Sequence, residues 1–460
     1  MHETLADTRA FVESLPELAL RCSCFRDADL VRIARAPGRL DVMGGIADYS
    51  GSRVLELPLD CATHAAIGPR DDRRIRVVSA GPERGRSCEV LLDEFRAAAR
   101  SEPAEVRRLL SACGSNWASY ALGPLVVLMR EDGLDPQLGF DLLITSEVPS
   151  GAGVSSSAAI EVACANAFCA FFAHDIEPIR LALACQTAEN LIAGAPCGAM
   201  DQITSQCGRA DRLLQILCRP AGIEGHVAIP GGVRFFGIDS GTRHSVAGNS
   251  YADVRTAAFM GLRILCAQRA DWSMRRHLCE FGPDELDGFE SALPESVLGR
   301  EFLALFDGIA DHVTRVDPER RYPLRAATAH PIREHDRVTR FAALLPRAAE
   351  PAVAEQLGAL MYASHASYGS CGLGSAATDA LVEDVRAVGP GAGLFGAKIT
   401  GGGSGGTVAI LARDDAHERV IGVARRHAAR TAQAVRVFDG SSPGAAASGI
   451  LDLRWPRGTR

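Results

Sequence analysis

No run of about 18 consecutive apolar residues occurs in this sequence, so no membrane-spanning helix is expected. No C-x-x-C pair occurs among the 14 cysteines, which are scattered; Cys22 and Cys24 form only C-x-C. Cys164, Cys169 and Cys185 fall inside apolar helical patterns, so buried reduced thiols are expected rather than disulfides or a zinc site. Basic charge is not in excess: 49 Lys+Arg stand against 56 Asp+Glu, a net charge of −7. General affinity for nucleic acid is therefore not implied, and anions must be met by placed side chains, metal ions or backbone N–H groups. The first 20 residues carry Glu3, Asp7, Glu13 and Glu17 and lack an apolar signal core, which points to a reducing cytoplasm. His244, His330 and His335 have no ligand spacing around them, which argues against a histidine metal centre. No internal repeat or low-complexity linker stands out, and only residues 439–449 have a flexible composition.

What is present is a chain of 460 residues, 47% hydrophobic and 23% charged, long enough for two domains or more of a soluble globular protein. Helical periodicity is read at residues 5–21, 104–112, 117–130, 160–172, 178–193, 201–207 and 251–267, and throughout 271–346. Strands are read at 31–36, 54–67, 74–79, 138–146, 213–217 and 233–239.

The sequence centres on Pro149-Ser150-Gly151-Ala152-Gly153-Val154-Ser155-Ser156-Ser157-Ala158, directly before the apolar helix. Glycines let the backbone approach an anion. Ser155 to Ser157 can cap the helix and leave its first N–H groups facing outward. This is not a Walker A loop, because no Lys follows the glycines. An ordinary Ser-capped helix after a Gly turn is the competing reading.

Three further stretches carry polar residues at breaks in apolar patterns. In Ala36-Pro37-Gly38-Arg39 through Asp48-Tyr49-Ser50-Gly51, Pro-Gly is expected to end a strand, and Arg39 with Asp48 suits a turn salt bridge. Asp201 opens a helix just after Gly194-Ala195-Pro196-Cys197-Gly198. It suits either a charge favoured by the helix dipole or a carboxylate held at a cleft. Lys398-Ile399-Thr400-Gly401-Gly402-Gly403-Ser404-Gly405-Gly406 joins two strands, and so many glycines imply close backbone approach to another group, with a solvent-exposed flexible loop the alternative.

Together these motifs resemble the GHMP small-molecule kinases, and within them the galactokinase branch. Pro37 to Tyr49 looks like the sugar signature, Pro149 to Ala158 the phosphate loop, Pro196 to Gln202 the catalytic-aspartate motif, and Lys398 to Gly406 the third Gly-rich motif. Arg243-His244-Ser245, with Tyr251 downstream, also matches, and the motifs run in family order from about residue 30 to 410. The resemblance implies a two-domain α+β/α/β fold with the active site in the cleft between domains, read here as 1–228 and 229–460. It implies ATP and Mg²⁺ as cofactors and phosphoryl transfer to a sugar hydroxyl. Asp201 would be the base and Arg39 its partner. Asp48, Gly45, Ile46, Gly198 and Tyr251 would meet the sugar. Gly151, Gly153, Ser155, Ser156, Ser157, Gly402, Gly403 and Trp117 would meet the nucleotide, with plain core the alternative for Trp117. Ser157 and Glu189 would hold the metal. Partners would then be sugar and ATP only, with no nucleic acid or membrane, in a monomer or homodimer.

One departure bears on the substrate. Galactokinases usually carry Gly-Glu-His-Thr-Asp-Tyr where this chain has Gly44-Gly45-Ile46-Ala47-Asp48-Tyr49. The Glu and His that meet the sugar's C6 hydroxymethyl are gone. L-arabinopyranose is D-galactopyranose without that group, and an apolar wall suits it. The stretch from Arg35 to Gly51, together with Ser367-Tyr368-Gly369-Ser370-Cys371-Gly372-Leu373-Gly374, resembles the kinase half of plant-type L-arabinokinases. Those enzymes also carry a long N-terminal glycosyltransferase-like region not found in this sequence. L-arabinose is therefore the expected substrate and D-galactose the alternative. A non-catalytic sugar or ATP sensor is the rival of another class, expected to have lost the base or the phosphate loop.

Overall fold

The computed structural model describes residues 5–81, 85–112, 116–243 and 250–456. The strands of the first half are β1 (Leu30–Met43), β2 (Arg53–Pro69), β3 (Arg74–Ser79), β4 (Arg86–Leu91), β5 (Phe140–Ser146), β6 (Arg212–Cys218) and β7 (Ala221–Ala228). The second half adds β8 (Val233–Asp239), the two-residue β9 (Val297–Leu298) and β10 (Arg321–Tyr322), β11 (Leu394–Ile399), β12 (Thr407–Arg413), β13 (Val437–Phe438) and β14 (Ile450–Arg454). One sheet has the order β14-β1-β2-β5-β3-β4, with β6 on β2 and β7 on β6. Only its β3–β5 pairing is parallel. The other sheet, β11-β12-β8-β13, is antiparallel throughout.

Most helices of the first half cover one face of the first sheet, and Ala6–Cys22 packs on the other through Phe11, Leu15 and Ala19 against Ile33, Ala66, Val78 and Leu143. Ser156–Phe171 is apolar all round and is accordingly sandwiched, with Val162 and Phe168 packed among Ile67, Val77, Leu142 and the helix residues Leu122 and Leu125. Phe140 of β5 meets Phe168, Phe171 and Phe172 at centroid distances of 5.6–6.0 Å. A second core, including Leu40, Leu57, Phe235, Phe341, Leu357 and Leu411, joins the two sheets. A third lies under the helices Ser250–Gln268, Leu324–Leu344 and Pro351–Ser370 and takes in Ile46, Tyr49, Val254, Trp272 and Tyr368. The polar loops between these cores converge where the sheets meet.

Three local expectations are corrected. β1 does not stop at Pro37-Gly38 but runs on to Met43, with its register against β2 shifting between Pro37 and Arg39. A bulge tolerates the missing proline N–H. A Cβ on Gly38 would lie 2.8 Å from Val154 O, so glycine here lets the strand pass directly under the 149–155 loop. The segment 271–346 is not helical throughout. Pro283, Pro294, Pro318 and Pro323 break it into short turns and the β9–β10 pair before the long helix Leu324–Leu344. Residues 439–449 are anchored: Ser442 Oγ donates to Leu59 O at 2.6 Å and Ser441 Oγ to Pro58 O at 2.7 Å, leading β14 onto β1. Among the described residues the cysteines form no disulfide bond, and no helix is long and apolar enough to cross a membrane.

Candidate functional site

Asp201 is the second residue of the helix Met200–Cys207, and both of its oxygens are held. Arg39 Nε donates to Oδ1 at 2.9 Å, with Nη2 2.8 Å from the same oxygen. Ser155 Oγ donates to Oδ2. Arg39 is itself 3% exposed and anchored twice more, donating from Nη1 to Gly153 O at 2.8 Å and lying 3.2 Å from Glu56 Oε2. The expected turn salt bridge with Asp48 is thus replaced by a buried guanidinium between Asp201 and Glu56. A planar guanidinium presents its N–H donors in fixed directions and so holds these acceptors in a set geometry, where a lysine ammonium would hold them less rigidly. The Asp201 side chain keeps 21% of its surface, so it stays open to solvent while its orientation is fixed.

The loop before the helix Ser156–Phe171 has left-handed backbone at Gly151 (φ 70°), Gly153 (φ 73°) and Ser155 (φ 59°). Ser155 takes the N-cap position, yet no side chain caps the helix, contrary to the expected Ser cap. Its hydroxyl goes to Asp201 instead, and the first-turn N–H groups stay available to an anion. Ser157 lies beside Glu189, which sits on a single π-helical turn, Glu189–Ala193. Gln202 Nε2 bridges Glu189 Oε2 at 2.6 Å and the fully buried Glu161 Oε2 at 3.0 Å. Burial first, then the charge of Asp201, raises the Glu189 carboxyl; burial and then Glu189 raise Glu161. Among the described residues no cluster of three or more His, Cys, Asp or Glu could hold a metal. One hydroxyl and one carboxylate suit instead a hard cation that keeps waters and takes further oxygens from a bound anion.

The loop between β11 and β12 packs against the 149–155 loop. A Cβ on Gly401 would lie 3.1 Å from Gly153 O and 3.2 Å from Arg39 Nη2; one on Gly406 would lie 3.0 Å from Ala152 O. Thr407 Oγ1 donates to Ala152 O at 2.7 Å. The close approach that the glycine run demands is therefore to a second glycine loop. Gly402 is half-buried and Gly403 buried on this loop.

Beside Asp201 lies a carboxylate of different character. Asp48 is 4% exposed and accepts from Tyr49 N at 2.9 Å. A Cβ on Gly198 would fall 1.7 Å from Asp48 Oδ2, so glycine at 198 makes room for the acid. Burial, and secondly the Asp201 charge, push Asp48 up to about 6. Tyr251 meets Tyr49 edge-on at 5.9 Å. Arg255 braces this corner, donating to Cys197 O at 3.0 Å, pairing with Asp311 at 2.8 Å and lying 5.5 Å over the Tyr49 ring.

The other named residues are placed as follows. Trp117 is half-buried before the helix Ala118–Glu131, against the first core. Arg243 pairs with Asp239 at 2.7 Å, while His244 and Ser245 lie outside the described residues. Ile46 is 1% exposed, within the third core, and the direction a side chain at 45 would take is filled by Tyr368 and Asp41. Sequence reading assigned no role to Asp41, Glu56, Glu161, Arg255 or Lys398. A lone charge inside a buried apolar run, as in Leu40-Asp41-Val42, Leu55-Glu56-Leu57 and Ala397-Lys398-Ile399, is the signal that could have found three of them.

Residues 119–209 match the family described as GHMP kinases N terminal domain, and residues 349–429 match GHMP kinases C terminal. The chain is 38% identical over 485 residues to the L-arabinokinase of Arabidopsis thaliana, an alignment covering 92% of this chain and 47% of that protein. It thus spans about half the length of that relative. It is 32% identical over 408 residues to a galactokinase of Chloroflexus aggregans, covering 88% of this chain and 90% of that one. Lactococcus lactis galactokinase complexed with galactose superposes with a TM-score of 0.75 at 20% identity, over 98% of this chain and 100% of that one, a likeness of fold.

Proposed function

The chain belongs to the GHMP kinases, and from that membership we propose that it transfers the γ-phosphate of ATP to the anomeric hydroxyl of a monosaccharide, most specifically L-arabinose. The observation that carries the reading is Asp201, held at both oxygens by Arg39 and Ser155 at the mouth of the 149–155 loop. Phosphoryl transfer needs charge neutralisation and in-line placement more than covalent help. Asp201 takes the proton of the sugar hydroxyl. Arg39 orients Asp201 and faces the developing negative charge. The uncapped N-terminus of Ser156–Phe171, with Gly151 and Gly153, receives the phosphates, and Gly402, Gly403 and Trp117 belong to the nucleotide side. Ser157 and Glu189 would hold Mg²⁺, which when bound supplies charge neutralisation at the β- and γ-phosphates. Asp48 accepts ring hydroxyls beside Gly198 and Tyr251. The two domains divide near 228/229, between β7 and β8, with the C-terminal strand β14 returning to β1 of the first sheet.

L-arabinose is favoured because Gly45 and Ile46 offer no polar side chain to a C6 hydroxymethyl, and because of the 38% identity to the L-arabinokinase. D-galactose is the second reading, favoured by the galactokinase similar over 88% of the chain. A sensor without catalysis would have no need of the Arg39–Asp201–Ser155 arrangement. A kinase assay over a panel of pentoses and hexoses with Mg·ATP tests the proposal. Turnover with L-arabinose above D-galactose is expected, and turnover with no sugar would overturn it.

A further inference from the structure

Lys398 is the only lysine in the sequence, and its side chain is fully buried. Its Nζ lies 2.8 Å from Asp41 Oδ2, on a side chain equally buried. The same oxygen accepts from Gly401 N at 3.1 Å and lies 3.3 Å from the Tyr368 hydroxyl, which donates to Gly401 O at 2.8 Å. This cluster sits directly behind Gly45. A Cβ there would lie 1.7 Å from the Tyr368 hydroxyl oxygen and 2.2 Å from Asp41 Oδ2. Neighbouring groups fix the same turn. His330 Nε2 donates to Gly45 O at 2.9 Å, and Gly44 N donates to Glu334 Oε1 at 3.1 Å. Ile46 is held in a left-handed conformation, φ 51°.

We propose that Tyr368, with the Asp41–Lys398 pair, is specificity-determining: it occupies the space a side chain at 45 needs, so this wall of the site presents main chain only. The exclusion is electrostatic as well as steric. The buried ammonium already faces the Asp41 carboxylate at 2.8 Å, with Glu334 and Glu56 also near it, and an acid at 45 would bring a further buried anion to the same cation. These are positioning residues, acting through Gly45. The substrate part of the inference rests on the sugar-kinase reading; the packing part does not.

The consequence is that Gly45→Glu alone cannot give the site an acidic side chain for a larger sugar. Tyr368→Leu and Asp41→Asn must accompany it, moving the counter-ion of Lys398 from position 41 to 45. Two measurements test this. Thermal unfolding of Gly45→Ala, Tyr368→Leu and their combination requires no sugar. If the two side chains compete for one space, the combined loss in Tm is smaller than the sum of the single losses; additive losses would overturn the proposal. Then kcat and KM are measured on L-arabinose and D-galactose. The triple variant Asp41→Asn, Gly45→Glu, Tyr368→Leu is expected to raise the galactose-to-arabinose ratio of kcat/KM at least about tenfold over wild type, whereas Gly45→Glu alone loses activity on both sugars. A folded triple variant with unchanged Mg·ATP affinity and an unchanged ratio would overturn it, as would a fully active Gly45→Glu. A wild type that phosphorylates neither sugar would instead sink the sugar-kinase reading and leave the unfolding result standing.

Discussion

Ser155 reaches Asp201 from a left-handed backbone position: at φ 59° its hydroxyl donates to Oδ2 while Arg39 holds Oδ1. A non-glycine residue in this region costs on the order of 1–2 kcal/mol. Ser155→Gly relieves that strain and Ser155→Ala keeps it, while both lose the hydroxyl. Denaturant unfolding should show the glycine variant more stable than the alanine variant by about 1 kcal/mol, with turnover reduced in both. Equal stabilities would mean that the position carries no strain.

Asp201→Asn keeps the shape and removes the base. Turnover should fall by roughly 10²–10⁴-fold while calorimetry shows Mg·ATP binding preserved. A variant keeping more than about a third of wild-type turnover would place the base elsewhere.

Ser156→Ala combined with Ser157→Ala removes the hydroxyl that Glu189 meets and any hydroxyl contact to phosphate. The double variant should weaken Mg·ATP far more than sugar, since Asp48 and Gly198 are untouched. Unchanged nucleotide affinity in a folded protein would return the stretch to an ordinary helix start.

Asp48 titrates at about 6, against an ordinary 3.8, because burial and the nearby Asp201 disfavour its charge. With the folded value raised, its contribution to stability is full below the unfolded value and is lost as pH rises through 6. Sugar hydroxyls need the ionised acceptor, so the KM for sugar should fall as pH rises from 5 to 7, opposite in sense to the stability term. Asp48→Asn should flatten that pH dependence; a profile still inflecting near 6 would assign it to another group.

How far the sequence could be read differed between motif and context. Residues 149–158, 196–202 and 398–406 are legible because Gly, Ser and Asp at breaks in apolar patterns have few local uses, and the fold brings all three stretches to Arg39. The continuation of β1 past Pro37 was not legible, because the strand is accommodated by a bulge and by the passage of Val154 over Gly38, both set by distant residues. Pro283 through Pro323 mark the breaks in 271–346, but the helical periodicity of the apolar residues on either side masks them in the sequence. The setting of Gly45 was hidden for the same reason as β1: loss of a side chain at 45 reads locally as an apolar wall, whereas Tyr368, 323 residues later, occupies the space.

The most direct measurement is phosphorus NMR of a reaction containing the protein, Mg·ATP and L-arabinose. The expected result is ADP together with a phosphate resonance coupled to the anomeric proton of the pentose, and none when Asp201→Asn replaces the wild type over the same interval. No phosphorylated sugar, or phosphate on a hydroxyl other than the anomeric one, would contradict the placement of Asp201 as base for a sugar 1-kinase.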